Sequence, residues 1–471
     1  MKHGVYVREQ KPSVSTPVVA ESGVPFVIGT APVHSAESPA ALYTPVLCTD
    51  WDEAVKKLGY SDDWKTYTIC EVMYSHFKLF QCQPIIFCNV LDLTTHKEAV
   101  AGAEITLSGK QAKLPFDAIL SSLVVKAEAS SESPLVKDAD YAAYYSDGSL
   151  IIETIDDGAA SDAVKLYVSY DKVKTSGVGD NDIVKGIDAI DICMATVSTT
   201  PDLIIAPGWS HTDTVQTVMA AKAEVINGIL GAKCICDIDC SADGARSYDA
   251  AVAKKSATNL IDPAQIAVWP QVKLGGRQFH LSTQLAGLMA QVDSGNDGVP
   301  YESPSNKNLQ CDGACLEDGT DVILTLEKAN ILNASGICTA LRFMNGWVAW
   351  GDHTACYPGN TDIKDYFIPV SRMFKWVGNS LIKTFWSKVD SPMNRRLLDN
   401  IKDSADKWLS GLVGSEYLLG ARVEILDSEN PMTDLMAGIV RIHIYMTPSS
   451  PAQEIDFILE YDADYVQSAL A

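Results

Sequence analysis

The feature that most constrains this chain is a set of short, mostly apolar runs separated by helix-like stretches. "PIIFCNVL" (84–91), "PDLIIAPGWS" (201–210) and "AKCICDID" (232–239) are rich in β-branched residues and show little polar alternation, the pattern of strands buried on both faces. Between them lie capped or amphipathic segments: 50–58 ending at Gly59, 68–83, "TVQTVMAAKAEVINGIL" and "HLSTQLAGLMAQVDS". "GVPFVIGTAP" (23–32) and "QIAVWPQV" (265–272) read as two more strands. Strands that alternate with helices predict a parallel or mixed sheet covered by helices.

Between about 96 and 186 the texture changes. "EITLSG", "SLVVKA", "DYAAYYSDGSLIIETI" and "AVKLYVSYD" are short alternating strands separated by Gly, Asp and Ser, and Asp147-Gly148 is a strong hairpin signal. This stretch reads as a β-sandwich inserted into the α/β layer.

A chain of 471 residues is long enough for two to four domains, and 47% hydrophobic with 21% charged residues marks it as globular. No run of 18 apolar residues occurs and the first residues lack a signal-peptide pattern, so neither membrane insertion nor export by that route is expected. Twelve cysteines in a reducing compartment are then mostly small buried side chains. Cys234, Cys236 and Cys240 form the one tight cluster, but Cys234 and Cys236 alternate with Ile235 as on a strand and do not make a Cys-x-x-Cys knuckle. A net charge of -23 argues against nucleic acid, which needs a basic face. The charge is uneven: 371–411 holds eight Lys/Arg against four Asp, whereas 412–471 holds two Arg against ten acids.

Sheets of this kind often carry catalysis at their strand ends. No Gly-x-Gly-x-x-Gly follows a strand, Gly109-Lys110 lacks the rest of a phosphate loop, and no Gly-x-Ser-x-Gly elbow exists. Ser210-His211 and Asp352-His353 could be fragments of a hydrolytic triad, or ordinary loop residues. No catalytic, cofactor-binding or metal-binding residue is assigned.

The two ends raise a different question. In "HGVYVREQKPSVSTPVV" the strand formers Val5, Tyr6 and Val7 sit on a tether broken by Pro12 and Pro17. They can fold back as an edge strand of their own domain or pair with another chain. Near the C-terminus, "GIVRIHIYM" places Val440, Ile442, Ile444 and Met446 on one face, and "EIDFILEY" places Ile455, Phe457, Leu459 and Tyr461 on one face. With Pro448 and Pro451 between them, the two segments are expected to form a hairpin. "SPMNRRLLDNIKDSADKWLSGLVG" reads as an amphipathic helix with an apolar stripe of Leu397, Leu398, Ile401, Ala405, Trp408 and Leu409. Its cations Arg395, Arg396, Lys402 and Lys407 form either a binding face or a solvated one.

Five segments, in order, carry a family resemblance: "HGVYVREQ…GVPFVIGTAP", "LAGLMAQVDSGNDGVPYESPSN", "NGWVAWGDHT", "YFIPVSRMFKWVGNSL" and "GIVRIHIYMTPSSPAQEIDFIL". Together they resemble the contractile tail sheath proteins of bacteriophages and R-type bacteriocins over nearly the whole chain outside the β insertion. His353 stands where the family's Arg is expected, and Pro300-Tyr301 where a Trp is usual.

The resemblance implies a subtilisin-like α/β domain without catalytic residues, an inserted β-sandwich, and an α+β C-terminal domain with exchanged terminal strands. The implied division is a linker arm 1–22, α/β segments 23–95 and 187–360 around a sandwich 96–186, and a sheath domain 361–471. It implies a structural subunit that polymerises around an inner tail tube and contracts, with baseplate and tail terminator proteins as further partners. Such a subunit is assembled in the bacterial host cytoplasm and ends in a virion tail or bacteriocin particle. Val5–Val7 and Ile455, Phe457, Leu459 and Tyr461 would link subunits, and Arg395, Arg396, Lys402 and Lys407 would face the tube. A non-contractile self-assembling protein and a hydrolase on the α/β scaffold are the competing classes.

Overall fold

In the computed structural model, which describes residues 17–471 apart from 259, 345, 463, 464, 466–468 and 471, the apolar runs lie side by side. Along the chain the first strands are β1 (Pro25–Gly29), β2 (Val46–Cys48) and β3 (Ile85–Asn89). The middle of the chain gives β4 (Lys97–Thr106), β5 (Gln111–Pro115), β6 (Val124–Lys126), β7 (Tyr141–Ser146), β8 (Ser149–Thr154) and β9 (Lys165–Val173). Then come β10 (Leu203–Ile205), β11 (Lys233–Asp237), β12 (Gln265–Val268), β13 (Gln271–Leu274), β14 (Arg277–Phe279) and β15 (Gly313–Cys315). The last are β16 (Ile337–Phe343), β17 (Gly346–Trp350), β18 (Leu418–Glu424) and β19 (His443–Pro448).

Eight strands form one sheet in the order β17-β16-β12-β11-β10-β1-β3-β2. From β16 to β3 neighbours run parallel, and the two edge strands β17 and β2 run antiparallel. Phe26 pairs with Ile204 on one side and Ile86 on the other. Every residue of β1, β3, β10, β11 and β12 is buried, which is why these segments show no polar alternation. A core helix (Leu281–Gly295) packs so closely that a Cβ on Gly287 would meet the Phe80 ring at 2.4 Å.

Residues from β4 to β9 make two three-stranded antiparallel sheets, β4-β9-β6 and β5-β8-β7. Leu114, Leu150, Ile152, Leu166 and Val168 from both sheets meet in one apolar cluster separate from that of the eight-stranded sheet. The β7–β8 turn has Asp147 at φ 47° and Gly148 at φ 65°, the left-handed pair that a two-residue hairpin loop requires.

Four expected elements differ. The helix expected over 214–230 ends at Glu224, and Val225 is already extended. The run 265–272 is not one strand: at Trp269-Pro270 it leaves the large sheet, and β13 joins β14 and β15 in a small antiparallel one. Proline has no amide to continue the ladder. The helix expected over 68–83 is an α-helix only to Met73, continues with π-type winding over Tyr74–Phe80, and stops at Gln81 in the left-handed region. The expected hairpin between 440–446 and 454–461 does not form; β19 pairs instead with β18, upstream of it.

A docking helix (Ile368–Phe385) and a basic helix (Arg395–Gly414) complete the C-terminal part. Met373, Trp376, Leu409, Leu412, Leu418 and Val423 form its own cluster. It is tied to the large sheet by a buried charge hub. Arg372 donates to Asp293 at 2.9 Å and to Asp202 at 2.7 Å, and Asp202 also accepts from the Val24 amide at 2.7 Å. Burial disfavours the Arg372 charge, yet the two carboxylates hold its proton more tightly than in water.

Candidate functional site

Two places invite a function: the cleft at the strand ends of the large sheet, and the unfinished C-terminal strand pair. The cleft, of about 420 Å³, is lined by Thr68, Glu71, Trp209, His211, Asp237 and His280 among others. Ser210, in the turn that follows β10, is fully buried and donates to Asp237 Oδ2 at 2.8 Å, and Ser282 donates to the same oxygen at 2.5 Å. Both hydroxyls are therefore spent on a carboxylate, and among the described residues no imidazole is bonded to either. Two imidazoles line the cleft, His211 and His280, and His280 is bonded through Nδ1 to Glu71 at 2.8 Å. Burial alone would lower its pKa, but the Glu71 carboxylate outweighs it and the value rises to about 9. A ring that keeps its proton at neutral pH cannot activate a serine.

Among the described residues Asp352 and His353 bond no serine side chain; both meet Gln453, and His353 also meets the Asn333 carbonyl. The cysteine cluster is structural: Cys234 and Cys236 lie on β11, all twelve thiols are free, and burial pushes Cys70 and Cys240 up to about 12. Among the described residues no group of three or more His, Cys, Asp or Glu is placed to hold a metal ion, and no helix is long and apolar enough to cross a membrane.

The C-terminal strand pair packs on the basic helix and shares one apolar cluster with the docking helix. Residues 17–22 lie along that helix in extended form, held by side chains one turn apart. Trp376 Nε1 donates to the Ala20 carbonyl at 2.9 Å, Ser380 accepts from the Ala20 amide at 2.9 Å, and Thr384 accepts from the Val18 amide at 2.9 Å. Positions 376, 380 and 384 share one helix face. Lys383 pairs with Glu21 on the same side. Val18 thus lies at the C-terminal end of this helix. Val5, Tyr6 and Val7 lie outside the described residues.

Across the cluster, β18 and β19 pair antiparallel, and Ile442, Ile444 and Met446 turn toward it as the alternation predicts. Among the described residues neither outer edge of this pair carries a third strand. Two-stranded sheets are marginal on their own, and open edges accept further strands. Residues 449–462 then run on without regular structure. Along them Ile455 is 70% exposed, Phe457 86%, Leu459 94% and Tyr461 80%. So many large apolar side chains on one short segment, with nothing covering them, mark a surface awaiting a partner.

The basic helix is capped by Asn394, which accepts from the Leu397 amide, and buries Ala405, Leu409 and Leu412. Arg395, Arg396 and Lys407 are exposed and Lys402 is half-buried. At 100° per residue, Asp399, Asp403 and Asp406 project between them, so this face carries mixed charge and no continuous basic stripe. Arg395 and Asp399 stand 3.7 Å apart. Sequence reasoning missed two features, the seat of 17–22 on the docking helix and the partner of Asp352-His353; the Trp376, Ser380, Thr384 spacing was the available signal for the first.

No family model matches the chain. It is 24% identical to the tail sheath protein of Burkholderia phage BcepMu over 486 aligned residues, covering 98% of this chain and 97% of that one. Its fold resembles the sheath complex of an extracellular contractile injection system in its contracted state, at a TM-score of 0.57 and 13% identity, over 99% of both chains. It also resembles a sheath tail protein of Desulfitobacterium hafniense, at a TM-score of 0.53 and 14% identity, over 94% of this chain and 96% of that one.

Proposed function

We infer that this chain, a member of the contractile tail sheath protein family, is the structural subunit of a sheath that surrounds an inner tube and contracts to drive that tube through a bacterial envelope. The observation that carries the reading beyond family membership is the exposed apolar segment 454–462 beside a strand pair with two open edges. A subunit that buries its core so thoroughly elsewhere has no reason to leave five large side chains in water unless another copy covers them.

We propose that Ile455, Phe457, Leu459 and Tyr461 add as a strand to the β18–β19 pair of a neighbouring subunit, with Val5, Tyr6 and Val7 of another copy adding to the same small sheet. Each apolar side chain so buried contributes about 1.5–3 kcal/mol, and the ladder bonds add direction. A head-to-tail contact that does not close on itself builds a helix of subunits. Links through extended segments can pivot while their strands stay paired, so the bodies can rotate during contraction without parting. The central α/β unit is then a rigid block, subtilisin-like in layout but emptied of its chemistry, as the serine, aspartate and imidazolium arrangement in the cleft supports.

Arg395, Arg396, Lys402 and Lys407 are the proposed contacts to the inner tube. Their mixed surroundings suit a weak, salt-screened hold on a surface that must be released. Baseplate and terminator proteins would meet the end rings of the sheath. The assembled subunit belongs to a virion tail or a bacteriocin particle put together in the bacterial host cytoplasm.

Truncation tests the arms. Because 17–22 pack on the docking helix, the N-terminal cut should stop at residue 16, and the C-terminal cut should remove 454–471. Each truncated subunit is expected to fold and to remain as monomers or short discs in electron micrographs. Full-length tubes from either one would contradict the reading.

A further inference from the structure

Five residues beyond the end of β19, Gln453 reaches back to the body of the subunit. Its Nε2 lies 2.7 Å from Asp352 Oδ1 and 2.6 Å from His353 Nε2. The other ring nitrogen, Nδ1, is 3.2 Å from the carbonyl oxygen of Asn333, which can only accept. Nδ1 therefore carries the proton and Nε2 presents a lone pair. The carboxamide spends one hydrogen on the imidazole and the other on the carboxylate.

Asp352 and His353 are each only 7% exposed, and their facing acceptor atoms are 3.6 Å apart, a span that one NH2 group bridges. Tyr357 and Tyr366 wall the imidazole, with ring centroids 4.1 Å and 5.2 Å away. Two buried acceptors side by side are costly without a donor. Burial pushes the Asp352 carboxyl above the usual carboxylate range, and the bond from Gln453 draws it back.

We propose that the Asp352-His353 pair is a receptor for the Gln453 carboxamide, a clasp that fixes the root of the C-terminal arm on its own subunit. The arm from 454 to 462 then leaves every copy at the same place, with a reach of about 30 Å when extended. A fixed root restricts the volume the free segment explores and raises its effective concentration at a neighbour's open sheet edge. This last consequence rests on the sheath reading; the clasp itself does not. A glutamate at 453 would set a carboxylate against Asp352, so the site recognises a primary amide specifically.

Diethyl pyrocarbonate acylates the free lone pair of a neutral imidazole, and in the clasp that lone pair is occupied. Dispersed full-length subunits are treated with it and the rate at His353 is read by peptide mass spectrometry, with His211 as internal reference. Gln453→Ala and Gln453→Glu are each expected to speed acylation of His353 by about tenfold or more relative to the unaltered chain. A chain ending at residue 448 should do the same. Equal rates in the unaltered chain and Gln453→Ala would overturn the clasp. Dispersed subunits are used, so that result would leave the sheath reading standing, whereas protection of His353 in subunits that never polymerise would count against the sheath reading alone.

Discussion

The eight-stranded sheet and the β18–β19 pair use similar side chains, yet one is finished and the other is not. In the large sheet β1 has a partner on each side, only the outermost strands β2 and β17 have a single neighbour, and Phe26, Ile86 and Ile204 have no contact with water. The strand pair has one helix-backed face, two open edges, and an adjoining segment whose Phe457 and Leu459 are almost wholly exposed. The difference teaches where a subunit of this kind keeps its rigidity and where it keeps its connections. A body that is complete alone can move as a unit, and a region that is incomplete alone must borrow from a neighbour.

The largest expected effect falls on the hub that joins the two regions. Arg372→Ala leaves Asp293 and Asp202 facing each other in a buried site, at a cost of about 3–5 kcal/mol. Chemical unfolding followed by tryptophan fluorescence should show the part carrying Trp376 and Trp408 separating early from the rest. A loss below about 1 kcal/mol, within the range of surface changes, would show that the regions are not joined there.

A smaller effect belongs to the large sheet alone. Folded His280 titrates near pH 9, whereas a free imidazole titrates near 6.5. The Glu71–His280 pair therefore adds its full stability below about pH 6.5 and loses it as pH rises through about 9. Unfolding free energy measured across that window should fall with pH, and Glu71→Gln should flatten that part of the slope. An unchanged slope in the variant would place the titration elsewhere.

The smallest effect on the isolated subunit is expected at the strand-pair end. Replacing Arg395, Arg396, Lys402 and Lys407 by Gln should change stability by no more than about 0.5 kcal/mol per site. The same variants should co-sediment less with inner tube, and the difference should shrink as salt rises. Retention of tube indifferent to both would remove these residues from that contact.

How much of this was legible in the sequence depended on how local the deciding physics was. The buried runs of β1, β3 and β11, the Asp147-Gly148 turn and the basic helix with its Leu409 stripe are set by neighbours a few residues away. The partner of β19 was not legible, because alternation reveals which face is buried and says nothing of which strand lies alongside. The π winding over Tyr74–Phe80 lies against the core helix, some two hundred positions away in sequence, and the Gln453 clasp joins residues one hundred positions apart. For Asp352-His353 the residue types suggested chemistry, but the geometry gives them a docking role.

The most direct test of exchange between subunits is a mixed assembly. Light and heavy-nitrogen populations, each with a photo-cross-linker at position 457, are assembled in equal amounts and irradiated, and the cross-linked peptides are weighed. Pairs joining a light arm to a heavy β18 or β19 segment, at the share that random mixing gives, are the expected result. Cross-links confined to light–light and heavy–heavy pairs would mean that each arm folds onto its own subunit.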